Sequence, residues 1–560
     1  MKNARFLALA NALVGVSVLA PALLLAKAAE RYRPFQLGSH LRTVSTRSAK
    51  AQKAFDQGLV WSFAFNHDEA VHAFTEAARQ DPKLAMAHWG IALVNGPHIN
   101  NPMVDEAHAK AAFEALAEAE KRLDGASEVE KALIGALKSR YAYPQPEDRK
   151  PFDEAYAKAM ADVFARFPKD ADVAALYAES LMDVRPWDQW TKDGEPQPGT
   201  KETLEALEAA LKLDPNHPGA LHLTIHALEA SPRPERAKDA ATRLRGLVPD
   251  SSHLVHMPAH IDVRLGQWAE AARANERALA ADRRYQARQK EIGFYRIYMA
   301  HNAHFLAYTA MMEGRKKVAL AETRKVVDGL SPEFVKENAL FADAFLTVHM
   351  EAMKRFGLWK ELLKEPAPAP HLPVSTAYHH FVRGIALAAL DRVDEAEKER
   401  AAFAEALPRV PKEAYWGSNT AVDILGVAGP YLDGEIAYRR KDLPTAVAKL
   451  REAVTLEDAL KYDEPPGWTV PSRHALGAVL LEARRFEDAE AVYREDLARY
   501  PENGWSLLGL SRALAGRGNG SASAEAKTRF EKAWKRADIE LRSSCLCVTP
   551  ARAAGGAPAP

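Results

Sequence analysis

Seven histidines fall between positions 222 and 304 in three groups: His222 and His226; His253, His256 and His260; His301 and His304. Within each group the spacing is three or four residues, which on a helix of 3.6 residues per turn sets every member on one face. Neutral imidazole is the commonest protein ligand for metal ions, and two rings one turn apart can reach one ion. Seven imidazoles exceed the three or four that a single zinc takes, so the set predicts one ion with supporting histidines, or two ions. An all-nitrogen set selects copper, with zinc as the alternative, over magnesium or calcium, which prefer oxygen. Such an ion would support redox or hydrolytic chemistry, of an oxidase-like or hydrolase-like enzyme. Glu229 and Tyr308 extend the same stripe and are the candidates for orienting ligands or transferring protons. His67, at the start of a predicted helix, is a further candidate ligand. Two readings without metal compete: general acid–base or anion-binding histidines, and polar residues lining a wet groove that holds a small molecule, a peptide or a protein partner.

Other chemistries leave no trace. The sequence holds no phosphate-binding glycine loop, no dinucleotide fingerprint, no Gly-x-Ser-x-Gly elbow and no His-Glu-x-x-His run. Seventy-five basic residues balance seventy-five acidic ones in interleaved order, which disfavours nucleic acid as a partner. Cys545-Leu546-Cys547 is a minor soft-metal candidate; one intervening residue makes a mutual disulfide strained, so the fold is not expected to depend on one. His88, His349 and the pair His379-His380 fall at positions expected to be structural.

The elements that must position the histidines are helical hairpins. Residues 51–84 match the 34-residue tetratricopeptide template, with Gly58 at position 8, Ala70 at 20, Phe74 at 24, Ala77 at 27 and Pro82 at 32. Residues from Val470 match it again, with Gly477 at 8, Ala489 at 20, Tyr493 at 24 and Pro501 at 32. Helix A of each unit lines the concave groove through positions 2, 5, 9 and 12. In units opening at Pro218, Ser252 and Ala300, registered on glycine, alanine and proline, all seven histidines take groove positions, as do Glu229 and Tyr308. His474 also takes position 5 of its unit, behind a loop, Asp463 to Trp468, that could close the groove.

Several segments resemble a widespread bacterial family of exported tetratricopeptide proteins: Phe55-Asp56-Gln57-Gly58-Leu59, Asn66-His67-Asp68-Glu69-Ala70, Ala85-Met86-Ala87-His88-Trp89-Gly90, His253-Leu254-Val255-His256-Met257-Pro258-Ala259-His260 and His301-Asn302-Ala303-His304. The His-x-x-His-Met-Pro-x-His segment carries most of the specificity; Ala259 stands where the family is expected to have serine. The resemblance implies the fold, export and the histidine set, and no particular reaction.

The reading is therefore an all-α, right-handed tetratricopeptide solenoid. A signal peptide is expected at 1–28, where Lys2 and Arg5 precede an apolar run and Ala26-Lys27-Ala28 offers a small-x-small cleavage site. The run is also long enough to stay as an anchor; otherwise no membrane span is expected, and the protein is periplasmic or secreted. An extended segment follows at 29–47, then a solenoid with the histidine-lined groove at 48–364, a proline-rich connector at 365–372, a second solenoid at 373–540 and a disordered tail at 541–560.

Overall fold

The computed structural model describes residues 34–289 and 292–548. The expected signal peptide and the last part of the expected tail, 549–560, lie outside the described residues. The chain is an all-α helical-repeat protein of the tetratricopeptide type; among the described residues the only strands are Tyr415–Trp416 and Asn419–Thr420, paired antiparallel. No helix among the described residues is long and apolar enough to cross a membrane. Two compact units are present, one from Met1–Ile261 and Glu276–Met299, the other from Asp262–Asn275 and Ala300–Pro560.

In the first unit, Ala49–Phe63 pairs with His67–Gln80, Ala85–Val94 with Glu106–Glu120, Ala171–Asp183 with Thr200–Leu213, and Pro218–Glu229 with Lys238–Leu244. Polar caps open several helices of this unit, Glu128–Leu137 among them. Ser48, Asn66 and Asp170 accept from backbone N–H groups of the first turn, and Ser127 with Glu130 forms a capping box. Position 8 of the repeat is small for a reason visible here: a Cβ on Gly58 would lie 2.7 Å, and one on Gly90 2.5 Å, from the Phe74 ring. Phe74 thus locks its own hairpin to the next helix. The turn before His67–Gln80 places Phe65 at φ 55°, a left-handed conformation unusual for a bulky side chain.

In the second unit, Pro373–Ala389 pairs with Val393–Ala406, Ala421–Arg439 with Leu443–Ala459, Ser472–Glu482 with Phe486–Arg499, and Gly504–Gly516 with Gly520–Ala533. Tyr493 repeats the role of Phe74, its ring filling the space a Cβ would need at Gly477 and Gly509.

Two segments and one cysteine pair differ from expectation. The proline-rich segment 365–372 lies inside the second unit and divides nothing there; its Leu372 packs with Val335 and Ala342. Residues 541–548, expected to be disordered, are packed: Leu541, Cys547 and Val548 are buried, and Ser544 donates to the His474 carbonyl at 2.7 Å. Cys545 and Cys547 form a disulfide despite the single residue between them. Alanine, glycine and proline dominate only the last residues of that tail, whereas 541–548 carries the apolar and hydroxyl groups that dock.

Candidate metal centre

The first unit brings five of the seven histidines together. His222 and His226 share the helix Pro218–Glu229, whose first turn is capped by His217 and opened by a proline. His253 and His256 sit on Ser252–His256, and His260 on Pro258–Arg264. The break between those two helices falls at Pro258, which lacks the N–H that a continuous helix requires. Ring centroids form a chain: His256 to His260 4.7 Å, His260 to His226 6.1 Å, His226 to His222 4.7 Å and His222 to His253 4.8 Å.

These rings do not line an open groove. His222, His226, His253, His256 and His260 are 0%, 4%, 2%, 0% and 2% exposed. Phe65 covers three of them from one side, its ring 4.6 Å from His222 and stacked on His253 at 5.8 Å and on His226 at 6.1 Å. Trp187, from the insert 184–199 between the helices Ala171–Asp183 and Thr200–Leu213, meets His226 edge-on at 5.1 Å. Trp190 fixes that insert by donating to the Ala227 carbonyl at 2.7 Å. The repeat template predicts which helix face the histidines share; the insert lies outside the template, Phe65 sits at its turn position 15, which has no assigned groove role, and the two bury that face.

Hydrogen bonds set the tautomers. His222 Nδ1 donates to the Phe63 carbonyl at 2.7 Å, so in the neutral ring Nε2 holds the lone pair. Glu229 accepts from two rings, from His226 Nδ1 on Oε1 at 2.7 Å and from His260 Nδ1 on Oε2 at 2.5 Å. Burial pushes the Glu229 carboxyl up, but the His260 and His226 partners outweigh it and hold the pKa at about 2, so the group is ionised at neutral pH. Three Nε2 lone pairs therefore face away from their anchors. His253 Nε2–H donates to His222 Nε2 at 3.0 Å, and His256 Nε2–H donates to His260 Nε2 at 2.7 Å; a bound ion would take the place of those two protons. Two imidazole nitrogens on one tetrahedral zinc lie about 3.3 Å apart, given Zn–N of about 2.0–2.1 Å. One ligand atom each from His222, His226 and His253 falls within 4.8 Å of the others. His226 Nε2 is buried and has no hydrogen-bond partner, a cost that an ion would remove.

Burial, then neighbouring His226, lowers the His222 pKa well below 6.5, and burial lowers that of His226 against the pull of Glu229. The rings are thus kept neutral, the state in which imidazole ligates.

The remaining candidates sit elsewhere. His67 lies one ring further out, edge-on to His98 at 4.6 Å, with burial bringing its pKa to about 3. His301 and His304 belong to the second unit, where His301 packs edge-on to Phe305 at 5.8 Å and burial of its ring holds His304 at about 4. Tyr308, in the same unit, is buried between Trp268 and Phe305, and burial raises its phenol well above 10. His474 is buried in that unit, accepting from Arg355 at 2.9 Å and pairing with Asp496 at 3.0 Å. Sequence reasoning missed His98 and Phe65. His98 is stacked on Phe65 at 4.3 Å, and burial, followed by His67 and His222, depresses its pKa well below 6.5. It follows the Gly96-Pro97 break, in a loop where no helical spacing flags it.

A second histidine group in the first unit has a different character. His40 Nε2 and His217 Nε2 meet Asp172 Oδ1 at 3.0 and 3.1 Å, and Arg42 reaches Asp172 Oδ2 at 2.9 Å. His217 Nδ1 accepts from the Ala220 N–H at 3.1 Å, so its proton is on Nε2 and points at the carboxylate. That nitrogen has no lone pair for a metal. The group is a buried ion-pair network.

Fold and site define a helical-repeat scaffold with a buried imidazole cluster. No protein-family model matches the chain, and no curated protein matches it by sequence. Among solved structures it is similar to a human IFIT1 dimer with m7Gppp-AAAA, at 14% identity and TM-score 0.32 over 91% of this chain and 93% of that one. It is also similar to the APC/C hetero-tetramer Cut9–Hcn1, at 11% identity and TM-score 0.29 over 88% of this chain and 77% of that one. The yeast Tom70 structure gives 13% identity and TM-score 0.27 over 86% and 92%. Scores of this size carry no assignment of function or partner, and the repeat architecture stands on the helix pairs described above.

Proposed function

We propose that the protein is an exported metalloprotein whose first unit holds a transition-metal ion, copper in preference to zinc, on His222, His226 and His253, with His256 and His260 extending the site toward a second ion. One observation carries this reading: His226 Nε2 is buried, has no hydrogen-bond partner, and is aimed by an Nδ1–H bond to Glu229. A carboxylate behind an imidazole fixes the tautomer and raises the basicity of the ligating nitrogen. Glu229 serves two rings at once, and both its oxygens are taken, which suits it to orienting ligands. Phe65 packs on His222, His226 and His253, an apolar cover that favours ligation by neutral imidazole. When bound, copper would supply one-electron redox chemistry and zinc would polarise a bound oxygen. The alternative is a helical-repeat scaffold that holds a peptide or protein partner in its groove; the burial of these five rings means that such a partner would be contacted by other residues.

The test is metal content of full-length protein purified without a histidine tag, stripped with a chelator and reloaded with copper or zinc. Wild type is expected to retain one or two equivalents after gel filtration, and the His222→Ala/His226→Ala variant none at that site. Equal, near-zero content in both would end the metal reading.

A further inference from the structure

The second unit contains a buried carboxylate with no adequate partner. Glu435, on Ala421–Arg439, is 1% exposed. Its Oε2 has no hydrogen-bond partner, and its Oε1 lies 2.7 Å from Cys547 Sγ. In the disulfide that sulfur carries no proton, so it offers the carboxylate nothing. A buried polar atom of this kind calls for an explanation, and an ion is one.

The surroundings are built to hold the two sulfurs at this spot. Tyr493 and Ser544 hydrogen-bond at 2.7 Å, Ser544 donates to the His474 carbonyl at 2.7 Å, and Arg439 donates to the Cys547 carbonyl at 2.5 Å. Tyr431 Oη is 3.8 Å from Cys545 Sγ. One ligand atom each from Glu435, Cys545 and Cys547 falls within 4.8 Å of the others. Two thiolates and a carboxylate carry three negative charges; a divalent cation, Arg439 and Lys354 would offset them.

We propose that Cys545, Cys547 and Glu435 form a redox-gated site for one thiophilic divalent cation of the zinc and cadmium class. A small dithiol or a phosphine reduces the disulfide: the S–S bond takes up two electrons and two protons to give two thiols, while the dithiol closes to its own disulfide or the phosphine becomes its oxide with oxygen from water. On binding, each thiol releases its proton to solvent and each sulfur places a lone pair on the cation; Glu435 contributes an ionised oxygen. Three protein ligands leave a fourth position open for water. In the oxidised protein the sulfurs are tied to each other and the site does not bind.

The test uses the full chain and Cd²⁺ alone, followed through the ultraviolet sulfur-to-cadmium charge-transfer band, which imidazole ligands do not produce. Phosphine-reduced wild type is expected to give the band with one equivalent, and oxidised wild type none. Cys545→Ser/Cys547→Ser should lose the band. Glu435→Gln should keep it with affinity reduced about tenfold or more, in the range seen when a supporting group is lost. His222→Ala/His226→Ala should leave the band unchanged, which separates this site from the imidazole cluster. Absence of the band in reduced wild type overturns the proposal, as does equal affinity of wild type and Glu435→Gln. Should Glu435→Gln fail to fold, Glu435→Asp, which keeps the charge but withdraws the oxygen by one methylene, is expected to show the same weakening, and unaltered affinity there overturns it too.

Discussion

His226 and Glu229 stand one helical turn apart and are joined by an Nδ1–H···Oε1 hydrogen bond of 2.7 Å inside the first unit. Because the carboxylate is ionised with a pKa of about 2, the proton resides on the imidazole Nδ1, and Nε2 is left as a lone pair facing the other rings. Glu229 makes the same arrangement with His260, so one buried charge orients two candidate ligands.

Glu229→Gln is expected to weaken copper or zinc binding by about 10–100-fold without unfolding the helix, because the amide cannot accept from both imidazoles with a full charge. Competition against a chelator of known affinity measures this. An unchanged affinity would mean that Glu229 does not orient ligands.

Buried histidines should also make the protein acid-sensitive. Burial, then Arg383 and His380, lowers the His379 pKa from 6.5 to about 4. Between those values the unfolded chain binds a proton that the native ring refuses, so native stability falls as pH drops from 6.5 towards 4 and is fully retained above 6.5. His379→Gln should remove this component. The stability gap between variant and wild type is expected to move in favour of the variant by about 1 kcal/mol across that window, after discounting for solvent screening. Denaturant titrations at pH 7 and pH 4.5 give the comparison; parallel behaviour of the two proteins would contradict it.

The Phe74 lock gives a packing test. Gly90→Ala places a methyl 2.5 Å from the Phe74 ring and is expected to destabilise the first unit by about 1–3 kcal/mol. Combining it with Phe74→Leu should cost less than the sum of the two single changes, since the smaller side chain vacates the contested space. A double-mutant cycle read by urea unfolding would show the coupling; strict additivity would place the strain elsewhere.

Asp172 is the hub of the ion-pair network formed with Arg42, His40 and His217. Asp172→Ala leaves the buried Arg42 with only Asp170 and should cost about 3–5 kcal/mol, while metal stoichiometry stays that of wild type. Loss of metal from a folded Asp172→Ala protein would show that this network, not the imidazole cluster, is the binding site.

Residue spacing alone encodes the repeat: glycine at position 8 and an aromatic at position 24 specify a close helix contact, and that local complementarity survives in Gly58 with Phe74 and Gly477 with Tyr493. It also determined that His222 and His226 share a face, because helical periodicity depends on chain spacing alone. Tertiary structure decided the rest. Whether a helix face meets water or protein depends on what packs over it, here Phe65 from a turn and Trp187 from an irregular insert, and neither has a periodic signature. His98 enters the cluster from a loop for the same reason. The proline-rich segment 365–372 resembles a linker by composition, and residues 541–548 lead into an alanine-, glycine- and proline-rich end, yet Leu372, Leu541 and Val548 find apolar partners, and burial of such side chains outweighs what the neighbouring composition suggests. The tautomer of His226 follows from an oxygen 2.7 Å away, a distance that exists only once the chain has folded.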